Sequence, residues 1–295
     1  MARQSKDACA GDGSLADLLG RAGSEVAPDI SIVGMGIRVP DHLTREAERA
    51  LRRCRAIFTT WPLNQVGWFL SELAPRVEYI RDGYQTGRAR REIYDEMIEI
   101  VVNAAQRDGP IGFVTDGNPI LLDMVSGGVA ALARQRGLRV EMLPAVSSLD
   151  TALVDLEHDI GTTGLQVFEA SWLVMHRIVP RSDVPCLVLG INAFGTAYAT
   201  IHHDIRPRAL KPLRDLLLPT YGVDHEVVYV GSATWWHEKA SNRRLRLGDL
   251  TEESAEPPGT TLFIPARLPP PPVDREFVAA MSDAARFNAD YQPRI

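Results

Sequence analysis

The sequence predicts an α/β protein made of two consecutive α/β units. From residue 29 onward, short apolar runs of strand length alternate with stretches of helical periodicity, the pattern of a mostly parallel sheet covered by helices. Several of those apolar runs end directly in glycine- or proline-bearing turns. After about residue 160 the alternation loosens into strands joined by longer connections, which reads as a second unit with a more mixed sheet.

Residues 1–28 are rich in Ala, Gly, Ser and Asp with weak periodicity, and read as a mobile tail. "ISIVGMG" is a buried strand running into a glycine turn, "LTREAERALRRC" an amphipathic helix and "AIFTT" a second strand. A region holding Trp61 and Trp68 follows, and then "GYQTGRARREIYDEMIEIVV", Gly83 to Val102, which reads as a helix. "IGFVTDGNP" is a strand ending in a turn, "LLDMVSGGVAALARQRG" a helix, "LRVEMLPAVSS" a strand and "LDTALVDLEHD" a helix. These elements make up a first unit at 29–160. In the second unit, 161–267, the strands are "GLQVFEA", "PCLVLGIN", "HEVVYVGSA" and "TTLFIPA", with one clear helix, "RALKPLRDLLLPTYG". Residues 268–295 hold a polyproline stretch, "LPPPPV", and a short helix, "DREFVAAMSDAARFNA".

The 295 residues are 45% apolar and 24% charged, with a net charge of -6. A substantial core can be buried, and the mild acidity argues against a nucleic-acid partner. No apolar run is long enough to span a bilayer, and no signal-peptide pattern follows Met1. Cys9, Cys54 and Cys186 are widely spaced and form neither a metal motif nor a disulfide framework. The expected setting is the reducing cytoplasm.

Gly34 and Gly36 follow a strand and suit close approach of backbone to a ligand, but no third glycine completes a dinucleotide fingerprint. Asp116-Gly117-Asn118-Pro119 forms a turn at the carboxyl end of a strand. That is where open α/β sheets bind ligands, although all four residues are also ordinary turn formers. Ser147 and Ser148 stand at a helix start, where capping and ligand contact are compatible. Three such loops from one sheet converge on a common edge. Adjacent His202 and His203 diverge in direction and have no third ligand nearby, so no metal is expected. Trp235 and Trp236 suit a groove, a core or an interface equally. No GxSxG, Walker A or HExxH motif occurs.

On a helical wheel at roughly 100° per residue, Ile93, Met97, Ile100, Val101 and Ala104 gather into an apolar arc. Arg88, Arg91, Glu92, Asp95, Glu96 and Glu99 face water. Arg90 and Tyr94, four residues apart, sit at the edge of the arc or inside it. Such a pair is either a buried hydrogen-bonded couple, a dimer contact or a functional constellation.

"SIVGMGI", then "TDGNP" about eighty residues later, then "LPAVSS" resemble the tetrapyrrole methylase superfamily. Its members bind S-adenosylmethionine (SAM) in a cleft between two α/β domains, usually as dimers. Ala145 departs from the glycine usual in its loop. Tyr84, Arg90 and Tyr94 followed by "MIEIVV", with "GLQVFEASWLV", "DHEVVYVGSA" and "TTLFIPA", are similar to one branch of it, the borosin peptide backbone N-methyltransferases. The resemblance runs from about residue 30 to 267. It implies that Tyr84, Arg90 and Tyr94 line the site where a peptide amide meets the SAM methyl group. It also implies SAM contacts at Asp116, Asn118, Leu121, Ser148, Gly190, Ser232, Thr260 and Thr261, with Gly34, Gly36, Gly117 and Ser147 in the same loops. S-adenosylhomocysteine is the implied product, no metal is implied, and a homodimer is. Asp116 departs from the aromatic residue common in the branch.

An amide nitrogen is a poor nucleophile because its lone pair is delocalised into the carbonyl. Methylation needs the N–H proton removed while charge moves onto oxygen. Arginine can donate hydrogen bonds to that oxygen. Tyrosine, with a reference pKa of about 10, is expected to accept the proton where a guanidinium favours its phenolate. Only 27 residues follow "FIPARL", without an apolar β-branched stretch, so the expected substrate is a separate precursor peptide acting in trans. Two competing readings are a superfamily enzyme methylating a small molecule and an inactive SAM- or peptide-binding module.

Overall fold

A computed structural model describes residues 27–199, 210–251 and 260–283. The first part of the chain runs β1 (Ile30–Gly34), α1 (Arg45–Leu51), β2 (Ala56–Thr59), α2 (Leu63–Leu70), β3 (Val77–Tyr79), α3 (Arg90–Asp108), β4 (Ile111–Thr115), α4 (Met124–Gln135), β5 (Val140–Leu143) and α5 (Ser148–Asp155). Its five strands form one sheet in the order β3-β2-β4-β1-β5, with every neighbour parallel. Alternation of side chains along each strand splits the apolar residues between two faces. Ile30, Ile32, Phe58, Ile111 and Phe113 pack under α3 and α4. Val33, Met35, Ile57 and Val114 pack under α1 and α2. Burying a side chain of this size contributes roughly 1.5–3 kcal/mol, so both faces must be covered.

The second part runs α6 (Ile160–Thr163), β6 (Gln166–Glu169), α7 (Ala170–His176), β7 (Cys186–Leu189), α8 (Lys211–Tyr221), β8 (Glu226–Gly231), β9 (Ser241–Arg246), β10 (Thr261–Ile264) and α9 (Arg275–Met281). The sheet order is β6-β7-β10-β8-β9. It is mixed, as the sequence predicts, since β6–β7 is parallel and the other three pairings are antiparallel. One face is covered by α7 and α8 through Leu173, Leu213, Leu217 and Tyr221. The other receives α5, whose Ala152 lies against Leu187, Val228, Val230 and Phe263. A helix launched from the first sheet therefore closes the second.

The structure corrects several boundaries. The helix read from Gly83 begins at Arg90. Gly87 has φ +87, and the main chain from Gly87 to Arg90 pairs with Ala197–Ala199 instead of coiling. Ile100, placed in the apolar arc, is 44% exposed, and the buried stripe passes through Val102 and Ala105 instead. Thr44 and Asp123 cap α1 and α4 and delay their starts. Elements not expected are α2, β3, α6, α7 and β9. The last, "SNRRLR", has no apolar pattern because it is an exposed edge strand held by its pairing with β8. Cys54 and Cys186 are buried free thiols, pushed up to about 11 and about 12 by burial. Cys9 and the pair His202-His203 lie outside the described residues. No helix among the described residues is long and apolar enough to cross a membrane.

Candidate active site

The three loops expected to converge are in contact. A Cβ on Gly34 would lie 2.1 Å from the Gly117 carbonyl oxygen, 2.7 Å from the Ala145 Cβ and 3.0 Å from Pro119 Cδ. Gly36 and Gly117 exchange main-chain hydrogen bonds of 3.2 and 3.0 Å, and both have positive φ. Asn118 pins the turn to the next loop, its amide donating to the Ala145 carbonyl at 2.9 Å while its Oδ1 accepts from Ile120 N at 3.1 Å. The Leu121 N–H completes the turn on the Asn118 carbonyl. Gly34 is therefore consumed by loop packing. Ser147 caps α5 and closes a capping box with Asp150, so its hydroxyl is spent on the helix, while Ser148 is the first helical residue and half-buried.

The second sheet brings its candidate residues to one edge by strand pairing. Leu262 faces Val188 and Thr261 faces Val230, which carries Thr260 alongside Gly190 and Gly231. Gly190 is left-handed, at φ 72, with Glu169 beneath it. Thr260 and Thr261 are buried. The Ser232 hydroxyl lies 2.6 Å from Asp155 Oδ2 and 2.9 Å from Thr151 Oγ1. It thus ties the end of β8 to α5 and the two sheet edges to each other.

Tyr84, Arg90 and Tyr94 lie where the segment 193–199 crosses the start of α3. This helix has no side-chain cap. Its first N–H, that of Arg90, donates to the Ala197 carbonyl at 2.9 Å instead. The Arg90 guanidinium reaches the Ala193 carbonyl at 3.5 Å. Tyr84 and Tyr94 pack at the margin of the first core, beside Ile93 and Met97. The Arg81 guanidinium stacks over the Tyr84 ring at 4.1 Å. Among the described residues neither Arg81 nor Arg90 forms a salt bridge, whereas Arg88, Arg91 and Arg136 each do. Among the described residues the inward arginine is therefore not part of an ion pair, and its recorded side-chain contact is the Ala193 carbonyl.

Arg81 is absent from the sequence-derived set. Its signal was positional, since it follows the carboxyl end of a parallel strand. The three-residue strand β3, half-exposed and without a clear apolar run, concealed it.

The electrostatics amend the expectation for the tyrosine. Burial and the neighbouring Tyr84 push the Tyr94 phenol above its ordinary value of 10.0, while Arg90 and Arg81 pull it back. Its hydrogen bond with Tyr84 favours the protonated form. Tyr94 therefore rests protonated, and the nearby guanidiniums limit that rise without reversing it.

Asp116 reaches solvent yet lies in a recess crowded by protein atoms. Desolvation pushes its carboxyl up to about 6 from 3.8, with Asp123 adding to the rise and Arg81 opposing it. Water contact screens the charge, so its direction is what matters. Between pH 3.8 and about 6 the folded chain binds more protons at this site than the unfolded one. Stability therefore falls as pH rises through that window. Asp116→Asn is expected to raise Tm at pH 7 but not at pH 3.5, as read by thermal melts at both values. An equal change at both would remove the ionisation from the explanation.

Trp61 meets Trp235 edge-on with ring centroids 6.3 Å apart, bridging the two parts of the chain, and Trp236 is 75% exposed. No group of three metal-ligating side chains occurs among the described residues. An open trough of about 800 Å³ runs along β9, lined by Glu226, Arg243 and Arg246 among others. It lies toward the start of β8, the opposite end from Gly231 and Ser232, and its charges pair with one another.

Comparison with known proteins agrees with this fold. A family profile described as Tetrapyrrole (Corrin/Porphyrin) Methylases matches residues 29–250. A methyltransferase/ribosomally synthesized type II borosin cyclic peptide precursor of Phlebiopsis gigantea is 23% identical over 226 residues, covering 76% of this chain and 40% of that protein. A type I counterpart from Coprinopsis marcescibilis is 24% identical over 264 residues, covering 88% of this chain and 68% of that protein. The chain thus spans between two fifths and two thirds of the length of these relatives. Among solved structures, uroporphyrin-III C-methyl transferase from Thermus thermophilus, complexed with S-adenyl homocysteine, superposes with a TM-score of 0.53. It is 20% identical and covers 80% of this chain and 96% of its own. That likeness bears on the fold.

Proposed function

The chain belongs to the tetrapyrrole (corrin/porphyrin) methylase family, and from that premise we propose that it is a SAM-dependent methyltransferase acting on backbone amides of a precursor peptide supplied in trans. The carrying observation is the inward group of Tyr84, Arg90 and Tyr94, whose arginine has no ion-pair partner among the described residues. The relatives support the substrate class, since their names join a methyltransferase to a ribosomally synthesized peptide precursor. The proline-rich, charged stretch 268–295 is not the proposed acceptor.

The residues present fit SAM. Gly117 has positive φ and only Ile37 Cδ1, at 3.5 Å, near its missing Cβ, so main chain there can approach a ligand closely. The corresponding sides of Gly36 and Gly190 instead meet His42 and Glu169. Asp116 offers a carboxyl group in a crowded recess, complementary to a cation. SAM, when bound, supplies an electrophilic methyl group. Arg90 donates hydrogen bonds to the substrate amide oxygen and stabilises the charge that develops there. Tyr94, through its phenolate, takes the amide proton, and Tyr84 stands beside it to orient the peptide. Because Tyr94 rests protonated, only a small fraction is competent at neutral pH. The rate should rise about tenfold per pH unit from pH 7 to 9, provided the peptide and chain stay intact. A profile flat over that range would remove Tyr94 as proton acceptor.

We also propose a homodimer, with no metal involved. Ile120 is 74% exposed, and exposed Leu122 and Met124 lie beside it, immediately next to the Asp116 turn; an apolar patch of this kind marks an interaction surface. Light scattering on the purified chain decides the assembly.

The deciding experiment is tandem mass spectrometry of short peptides encoded beside this gene, after co-expression. Methyl groups on backbone nitrogens of a separate peptide support the whole proposal. Methyl groups on this chain itself overturn the trans arrangement. Unmodified peptides with SAM still bound favour a small-molecule acceptor or an inactive binding module.

A further inference from the structure

In the first sheet, β3 ends at Tyr79 and β4 at Thr115, and only β2 separates them. Strands lie about 4.8 Å apart, so the residues just beyond those two ends, Arg81 and Asp116, stand roughly 10 Å apart across the edge. An extended arginine spans most of that distance. Ile80 still bonds to the Thr59 carbonyl at 3.0 Å, which fixes where the chain leaves the sheet. From there the Arg81 guanidinium lies over the Tyr84 ring at 4.1 Å. It has no salt-bridge partner among the described residues and acts electrostatically on both Tyr94 and Asp116.

We propose that Arg81 is the positioning residue of the site, a second cation that stacks on Tyr84 and joins the tyrosine pair to Asp116. This rests on the reading of Tyr94 as proton acceptor. Two guanidiniums then act on Tyr94, that of Arg90 from the start of α3 and that of Arg81 from the end of β3. Arg90 serves the substrate oxygen, whereas Arg81 holds Tyr84 in place through its ring face and favours the ionised state of Tyr94.

Among the described residues, the groups acting on Tyr94 are Tyr84 and Arg81 from the segment before α3, and Arg90 from α3 itself. Those acting on Asp116 are Arg81 and Asp123. The crossing segment 193–199 contributes one titratable side chain, the exposed Tyr198. Arg81 is thus the described cation common to both.

The test titrates Tyr94 directly and needs no substrate. The full chain is produced with 3-fluorotyrosine, whose more acidic phenol brings the titration into the stable range. The Tyr94 resonance is assigned by its loss in Tyr94→Phe and followed by fluorine NMR against pH. Arg81→Gln should raise the Tyr94 midpoint by about one unit, and Arg81→Lys should restore much of it. An unchanged midpoint in Arg81→Gln overturns the proposal. So does an equal rise in Arg81→Gln and Arg81→Lys, which would mean that the arginine only fills space. If the midpoint moves but Tyr94→Phe still methylates peptide, Arg81 tunes Tyr94 as proposed and the proton-acceptor reading is the part that fails.

Discussion

Replacing Tyr94 with phenylalanine is expected to abolish methylation while leaving the chain folded and able to bind SAM. The substitution removes one hydroxyl group. The ring remains at the margin of the first core, packed beside Ile93 and Met97, so no cavity opens. The hydroxyl is lost from beside Tyr84, whose phenol acts electrostatically on Tyr94. Tyr84 keeps its stacking contact with Arg81. Positioned acid–base groups contribute roughly 10²–10⁴-fold, and an amide is too weak an acid to lose its proton unaided. The loss should therefore fall on kcat, with Kd for S-adenosylhomocysteine and the thermal midpoint close to those of the parent. Mass spectrometry of the peptide and calorimetry of cofactor binding check the two halves separately. Full activity in Tyr94→Phe would sink the mechanism, and a variant that loses cofactor affinity would mark Tyr94 as structural.

Legibility in the sequence followed the strength of the local signal. The parallel core was readable because "ISIVG", "AIFT" and "IGFVT" are apolar runs buried on both faces, and such strands cannot hide their composition. The glycine loops were readable for the same reason that they pack, since a turn at a strand end needs residues that tolerate positive φ or close approach. The start of α3 was not. Gly87 is a poor helix former and has positive φ, but the hydrogen bonds of this stretch go to the segment Ala197–Ala199, about a hundred positions later. A wheel drawn on one segment cannot register that competition. Arg81 was hidden differently. Its role arises from strand order, which puts β3 and β4 two places apart, and nothing local distinguishes it from the other arginines. The sequence shows the cation near Tyr94 but not the burial that pushes its phenol above the ordinary value.

Gly34→Ala should lower stability by about 3 kcal/mol, near the upper end of typical overpacking costs, and should also remove cofactor binding. The new Cβ would sit 2.1 Å from the Gly117 carbonyl oxygen. No rotamer change can relieve a clash with main chain. The Gly117 oxygen itself accepts from Gly36 N at 3.2 Å, so moving it breaks the bridge between the first two loops and displaces Asp116 next door. Ala145 blocks the other direction, with its Cβ 2.7 Å from the new atom. Ala145→Gly would relieve that second contact but not the first, so the double variant should recover only part of the loss. Gly127→Ala provides the control. This glycine lies inside α4 with nothing near its missing Cβ, and alanine there should add about 0.5–1 kcal/mol through helix propensity. For a chain of this size the two substitutions should therefore move Tm in opposite directions, by roughly 6–12 °C downward and about 2 °C upward. If Gly34→Ala melts with the parent, the three loops are not in contact, and the recess they are taken to build at the carboxyl edge of the sheet loses its physical basis.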